Sequence, residues 1–491
     1  DNENANFFRF FSFTAQTMKK VLLINPPSGL YRRDDRCQSR VEEQTVNIIF
    51  PPMDLATLAA MARKTGAEPR IADFPATGQG WEHLENLLDS FVPDIVLIST
   101  TSATVSDDLQ VGKSAKKVNP ECLVISKGEY LSHFGIKALQ AHPSLDVILL
   151  GEPEIAFEEI VKGIQLDNIP GIVFRKKLGM DEDFVQTGER RLIEDLDQIP
   201  FPARDILDNS LYRSPESGNP LTVINANRGC PAHCIFCPAG KISGYKLRFR
   251  SPENIVEEVK ECVEQFGIRE FLFNGDTFTM HKSWLLKLCR LIRETNYQIR
   301  WGCNSRVDTF DLERAKAIKS AGCWVVAFGI ESGVQEMLDK MKKKTRLDQA
   351  VKAVETAKKA GLLTHAFYVI GLPWETRETL KQSLEFAKIL DTDFFDFNIA
   401  YPLPGTEYYD IAKKEGLFEE SRLSEGSYGQ AAIRSYELSS YELTSWRKKA
   451  LISMYLRPGY VFRTLLRVAG KPRVLKNYLR EGTRRIFSLI R

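Results

Sequence analysis

Twelve residues near the middle of the chain, Asn227-Arg-Gly-Cys-Pro-Ala-His-Cys-Ile-Phe-Cys-Pro238, restrict what it can become more than any other stretch. Cys230, Cys234 and Cys237 have the spacing Cys-x3-Cys-x2-Cys. The run before them, Leu221-Thr-Val-Ile-Asn-Ala226, is short, apolar and β-branched, the pattern of a buried strand. Gly229 and Pro231 then break it into a loop. Three thiolates on one short loop can hold three corners of a metal centre. A structural zinc site closes four ligands, commonly from two separated Cys-x2-Cys pairs, and the sequence has no second pair. His233 would strain the loop as a fourth ligand. A four-iron, four-sulfur cluster with one iron left open fits the tight spacing better; zinc and plain buried cysteines are the rival readings. Nine cysteines, three of them clustered, suit a reducing compartment and metal binding rather than a disulfide framework.

A cysteine triplet of this spacing after a first strand resembles the signature of the radical S-adenosylmethionine (SAM) enzymes. The resemblance implies that Cys230, Cys234 and Cys237 ligate a 4Fe–4S cluster whose open iron chelates the amine and carboxylate of SAM. One electron, from a flavodoxin- or ferredoxin-type donor, then splits SAM into methionine and a 5′-deoxyadenosyl radical.

Downstream, strands are expected at 270–274, 298–303, 324–330, 364–370 and 394–401, with helical patterns between them. With the first strand they make six βα units. That predicts a partial (β/α)6 TIM-like barrel over 220–420, with function at the carboxyl ends of its strands. Polar residues interrupt the apolar runs at those ends. The resemblance implies a role for each in holding SAM. Asn274-Gly275-Asp276 stands where the family has a Gly-Gly-Glu that contacts the amine. Arg306 would meet the carboxylate, Glu331 the ribose, and Gly371 would lie along adenine. Tyr401, before Pro-Leu-Pro-Gly-Thr406, is a candidate hydrogen-atom donor, with packing as the rival role.

The first half alternates strands (21–25, 69–73, 94–99, 122–126, 146–150) with helices, which predicts a doubly wound, Rossmann-like parallel sheet over 18–165. No G-x-G-x-x-G follows its first strand, which argues against a nicotinamide site. This half resembles the cobalamin-binding domain that precedes the barrel in one large class of radical SAM enzymes. The matching pieces are Asn25-Pro26-Pro27, Pro51-Pro-Met-Asp-Leu-Ala56 and Gly151-Glu152-Pro-Glu154. They make Asn25, Pro26, Gly151 and Glu152 cofactor contacts by implication. The Asp-x-His-x-x-Gly ligand motif is absent, as is usual in that class, so the cobalt would have no histidine below it. The fourth strand departs from the family's Gly-Gly-Pro type of ending and reads Lys127-Gly-Glu-Tyr130. The loop after the first strand carries Arg32, Arg33, Arg36 and Arg40, able to grip an anion, and Cys37, a candidate catalytic thiol. A solvated charged loop is the plainer reading. Residues 166–219 are expected to link the two domains, with one more strand at 170–175 and a proline-punctuated connection at 195–204.

Residues 1–17, crowded with phenylalanine, read as an added remnant ahead of Met18, with a targeting peptide as the rival. Residues 421–491 form a helical tail in which, from Trp446 on, thirteen basic residues face the single acid Glu481. Basic amphipathic helices can lie on anionic membranes; an outer helix capping the barrel is the alternative. The net charge of +3 gives no reason to expect nucleic acid, and no apolar run reaches membrane-spanning length. The expectation is a cytoplasmic enzyme, peripheral to the inner face of the membrane. It would use the cluster, SAM and cobalamin to methylate an unactivated carbon of a small, hydrophobic or lipid-like substrate. Radical cyclisation, rearrangement or carbon–carbon coupling on the same architecture is the second reading, and a non-catalytic corrinoid or iron–sulfur carrier the third.

Overall fold

The computed structural model describes residues 18–33, 38–44, 48–178, 181–470 and 472–490. Cys37, Arg36 and the stretch 1–17 lie outside the described residues. The chain is α/β, built on two mainly parallel sheets that meet at a polar seam. In the first sheet β1 (Lys20–Asn25), β2 (Glu68–Asp73), β3 (Ile95–Ser99), β4 (Leu123–Lys127), β5 (Val147–Leu149), β6 (Ile172–Leu178) and β7 (Asp181–Gln186) run in the order β2-β1-β3-β4-β5-β6-β7. β1 and β3 are unbroken apolar runs because both faces of the sheet are covered. Val21, Leu23, Ile95 and Leu97 pack with Leu55 and Phe157 on one side. Leu22, Ile24, Val96 and Ile98 pack with Leu88 and Val111 on the other.

The stretch expected as linker from 166 opens with β6, which pairs antiparallel with β5, and β7, which pairs antiparallel with β6. β7 reads Asp-Glu-Asp-Phe-Val-Gln, and a charged edge strand of this kind carries little apolar pattern. The rest of the stretch wraps onto the second domain. Arg204, fully buried, meets Glu258 of helix Pro252–Phe266 at 2.6 Å, and the Ala203 N–H donates to the Ala56 carbonyl at 2.9 Å.

The second sheet is opened by β8 (Leu221–Asn225). A short antiparallel ribbon follows, β9 (Asn227–Arg228) with β10 (Arg248–Phe249). Then come β11 (Glu270–Asn274), β12 (Arg300–Ser305), β13 (Cys323–Glu331), β14 (Leu363–Ile370) and β15 (Phe394–Ile399). Its six parallel strands stand in chain order, β8-β11-β12-β13-β14-β15, each joined to its neighbour by a helical crossover as in a βα barrel, and among the described residues β8 and β15 do not pair. Ile224, Phe273, Cys303, Phe328, Tyr368 and Phe397 sit in one continuous core with the surrounding helices. Cys262, Cys289 and Cys323 are buried in the same core.

Helix Ser440–Tyr455 closes the β15 side, placing Leu443, Leu451 and Met454 in the barrel core. Its Arg447 is buried and donates to the Phe397 carbonyl at 2.6 Å and to the Glu43 carbonyl at 2.7 Å. The basic tail is therefore structural at its start, because a guanidinium can satisfy two carbonyls that an apolar side chain would leave open. Helices Pro458–Val468 and Pro472–Ile490 follow, with Arg463 paired to Asp391 at 2.6 Å and Arg467 to Asp393. No helix among the described residues is long and apolar enough to cross a membrane.

Candidate functional site

The ribbon of β9 and β10 carries the cysteine loop as an excursion from the top of β8. Gly229 enters it at φ +87°, where a side chain would run into the Lys246 carbonyl. Three backbone bonds then fix the loop: Cys230 N–H to Gly244 O at 3.1 Å, Ile235 N–H to Met341 O at 3.1 Å, and Tyr408 N–H to Ile235 O at 2.9 Å. His233 does not turn inward as a ligand; its ring stacks on Tyr245 with centroids 4.2 Å apart.

The strand-end residues singled out in the sequence converge on this loop. Burial pushes the Cys230 thiol up, Asp276 adds to the effect, and Arg306 and Lys343 oppose it. At Cys234 burial again acts first, Lys343 and Arg306 oppose it and Glu331 adds to it. Asp276, Arg306, Glu331 and Lys343 thus lie within electrostatic reach of the thiols, and the two cations favour the thiolate that a metal needs. Among the described residues no three His, Cys, Asp or Glu side chains close round a single ion. A cluster asks instead for one thiolate at each of three irons.

The polar atoms beside the loop fit a ligand of this kind. The two side-chain polar atoms of Asn227, Thr277 Oγ1 and Asn304 Oδ1 are buried without a hydrogen-bond partner among the described residues. A buried polar atom without a partner costs ~1–3 kcal/mol, so atoms of this sort mark where a polar group docks. Asn304 Nδ2 donates to the Gly275 carbonyl at 2.8 Å, and a Cβ on Gly275 would lie 2.7 Å from the Asn227 amide. Arg306 holds Asp308 through two bonds of 2.9 and 2.8 Å and donates to the Lys343 carbonyl at 3.1 Å. Glu331 sits at φ +66°, at a register shift between β13 and β14, and its Oε1 meets Lys343 Nζ at 2.6 Å. Gly371, at φ +84°, donates to Glu375 and accepts from the Tyr408 hydroxyl at 3.3 Å. Burial pushes the Glu375 carboxyl up to about 7.

Between the domains lies a cleft with about 1290 Å³ of empty space, its open mouth included. Asn25, Lys127, Gly151, Glu152 and Glu154 line it from the first domain, and Asn225, Asn227, Arg228 and Asn274 from the barrel. Asn25 Nδ2 donates to Asp73, which also accepts from the Tyr212 hydroxyl at 2.9 Å. Asn25 Oδ1 and Glu154 Oε2 are buried without partners among the described residues. Among the described residues no histidine lines the cleft. Pro26 is buried outside the lining. Glu152 binds Arg248 at 2.7 and 3.0 Å, and Glu154 pairs with Arg228, so the loop after β5 is clamped to the ribbon that carries the cysteines. Lys127 pairs with Asp54 at 2.7 Å.

Two candidates sit differently from expectation. The Tyr401 hydroxyl is buried and donates to the Leu423 carbonyl at 3.0 Å, among Leu403, Tyr409 and Leu423. Arg33 turns inward to bind Asp108 with two bonds of 2.9 Å and the Ser99 carbonyl at 2.8 Å, instead of waiting in the loop for an anion. Sequence reasoning missed Asn227, Thr277, Asn304 and Lys343. The first three stand at the strand ends where polar residues were sought; Lys343 hides in the run Met-Lys-Lys-Lys-Thr345.

Residues 224–387 match the family model of the radical SAM superfamily. An uncharacterized methyltransferase of Pyrococcus horikoshii is 32% identical over 455 residues, 92% of this chain and 95% of its own. The cytidylyl-2-hydroxyethylphosphonate methyltransferase of Streptomyces wedmorensis is 27% identical over 470 residues, 84% of this chain and 86% of its own. In fold, the chain is similar to the cobalamin-dependent SAM radical enzyme OxsB solved with aqua-cobalamin and SAM bound. The match has a TM-score of 0.68 at 17% identity, over 96% of this chain and 72% of that one. With the cysteine loop at the head of the barrel and, as in the fold of OxsB, a Rossmann-like domain before it, the chain belongs to the radical SAM superfamily of enzymes.

Proposed function

We propose that the chain methylates an unactivated carbon of a hydrophobic, lipid-like small molecule, with cobalamin in the cleft between its domains. When bound, the cluster and SAM supply a 5′-deoxyadenosyl radical and cobalamin supplies the methyl group. The observation that carries the reading is the shared seam: Asn25 and Gly151–Glu154 of the first domain and Asn225, Asn227 and Asn274 of the barrel line one cleft beside the cysteine loop. Its partnerless amide and carboxylate atoms suit a corrinoid, whose rim bears many amides. Cys230, Cys234 and Cys237 would hold the cluster. Asp276, Arg306, Glu331 and Gly371 would hold SAM, and Asn25, Gly151 and Glu152 would border the corrinoid. The relatives named as methyltransferases support methylation over cyclisation.

The lipid-like substrate and a membrane-surface location rest on the tail. Helix Pro458–Val468 leaves Phe462, Leu465 and Leu466 more than half exposed, at 62%, 51% and 59%, within a strongly basic segment. Such a face suits an anionic bilayer. The test is anaerobic purification, with iron, sulfide and corrinoid analysis, followed by transfer of a deuterated methyl group from SAM to lipid extracts. About four irons, one corrinoid and a labelled apolar product are expected. A cluster without corrinoid after reconstitution with hydroxocobalamin would overturn cobalamin-dependent methylation. Flotation with anionic vesicles that persists in the Phe462→Asp/Leu466→Asp variant would overturn the membrane role of the tail.

A further inference from the structure

We infer that Lys343 is a positioning residue of the SAM site: it fixes the Glu331 carboxylate for the ribose and sets a permanent positive charge beside the cluster. The inference rests on the SAM-site reading above.

Lys343 is 7% exposed, and its ammonium lies 2.6 Å from Glu331 Oε1. Removing one partner from a buried pair is expensive, because the other charge stays behind, so this pair holds its geometry. Glu331 itself has φ +66°, a conformation that side chains other than glycine rarely adopt. Strain at a strand end persists where neighbours over-determine it, and Lys343 is one such neighbour. Gly329 makes room for the pair, since a Cβ there would stand 2.8 Å from Lys343 Nζ and run into Glu331 Oε1.

The turn that carries Lys343 is tied by its backbone to two parts of the site at once. Its carbonyl accepts from Arg306 at 3.1 Å. Two residues earlier, the Met341 carbonyl accepts from Ile235, the neighbour of Cys234, at 3.1 Å. Lys342 and Lys344 both have φ +56°, so the turn doubles back on either side of Lys343. Lys342, by contrast, reaches outward to Glu407 at 2.7 Å. One lysine of the run therefore faces the cysteine loop through backbone bonds that leave it little freedom. A fixed cation beside a thiolate favours the form of the cluster with one more electron, and a pinned Glu331 keeps its second oxygen for the ribose hydroxyls.

The test uses anaerobically reconstituted full-length enzyme. The midpoint potential of the cluster and the affinity for SAM are measured for wild type, Lys343→Met, Lys343→Arg and Glu331→Gln. Lys343→Met should lower the potential and weaken SAM binding about tenfold. Lys343→Arg should restore most of both. Glu331→Gln, which removes the neutralising partner, should raise the potential while still weakening SAM. Opposite shifts in these two variants are something a purely structural role would not produce. If Lys343→Met assembles no cluster, the Arg and Gln variants decide: an unchanged potential in Glu331→Gln overturns the inference. A wild-type cluster that binds no SAM would overturn the site reading itself, whereas normal wild-type binding with an unchanged Lys343→Met would overturn only the role given to Lys343.

Discussion

The two parallel sheets end at the same seam, and their carboxyl ends are finished differently. Beside the first sheet, one buried carboxylate is taken up within the protein. Arg33, Ser28, Thr101 and Thr104 take up both oxygens of the buried Asp108 over the ends of β1 and β3, while Asn25 Oδ1 at the end of β1 and Glu154 Oε2 beyond β5 face the cleft without partners among the described residues. At the barrel, Asn227, Thr277 and Asn304 keep buried polar atoms without partners among the described residues. A buried carboxylate taken up by its neighbours contributes stability, and buried atoms with unmet bonds give stability up for binding. The difference separates what frames the site from what receives ligand.

Substitutions can break that contrast, and the largest effect belongs to the cysteine loop. Cys234→Ala should remove the cluster and all SAM cleavage; retention of wild-type iron in that variant would contradict the ligand assignment. Next, Arg33→Met should lower the unfolding free energy by ~3–5 kcal/mol, measured by chemical denaturation, because Asp108 stays buried without its cationic partner. A loss below ~1 kcal/mol would show that the two ends are alike after all.

A third effect depends on pH. Burial raises Glu375 from 4.5 to about 7 in the folded chain. Between those values the unfolded chain has released the proton while the folded one still holds it. Stability therefore falls as pH rises through that window, and the full cost of ~3 kcal/mol is reached above it. Glu375→Gln should raise the thermal midpoint at pH 8 and have little effect near pH 4.5; an equal gain at both would remove titration as the cause. The smallest effect sharpens the comparison most. Thr277→Val should leave stability unchanged or raise it by up to ~1 kcal/mol, since Thr277 Oγ1 has no partner among the described residues to lose. It should at the same time weaken SAM binding, as read by equilibrium dialysis. Lower stability with normal binding would make Thr277 part of the frame.

Much of this was legible in the sequence because strand ends announce themselves. The apolar runs stop, and the polar residues that follow, Asp276, Arg306 and Glu331, fall where a parallel strand delivers its cargo. The cysteine spacing required no fold at all. Other features left no such trace. Arg33 and Arg447 look solvated in one dimension, and only the folded chain reveals that each reaches buried carbonyls. Lys343 is one of three consecutive lysines, and nothing local separates it from Lys342. Tyr401 stands at a strand end as a candidate should, yet its hydroxyl is taken up by Leu423. The strand β7 stayed hidden because pairing on an edge asks little of side chains.

The clasp made by Arg447 bears on how this chain can be cut or recombined. One guanidinium joins the last barrel strand to residue Glu43 of the first domain, and the helix that carries it completes the barrel's hydrophobic core. Residues 220–420 taken alone would leave β15 with a raw edge and the core without Leu443, Leu451 and Met454, the kind of surface on which strands of other molecules polymerise. The barrel is therefore not a transplantable module. A chimera that exchanges the substrate-facing half must carry the helix at 440–455 with it, and keep a first-domain loop that presents the carbonyl at position 43.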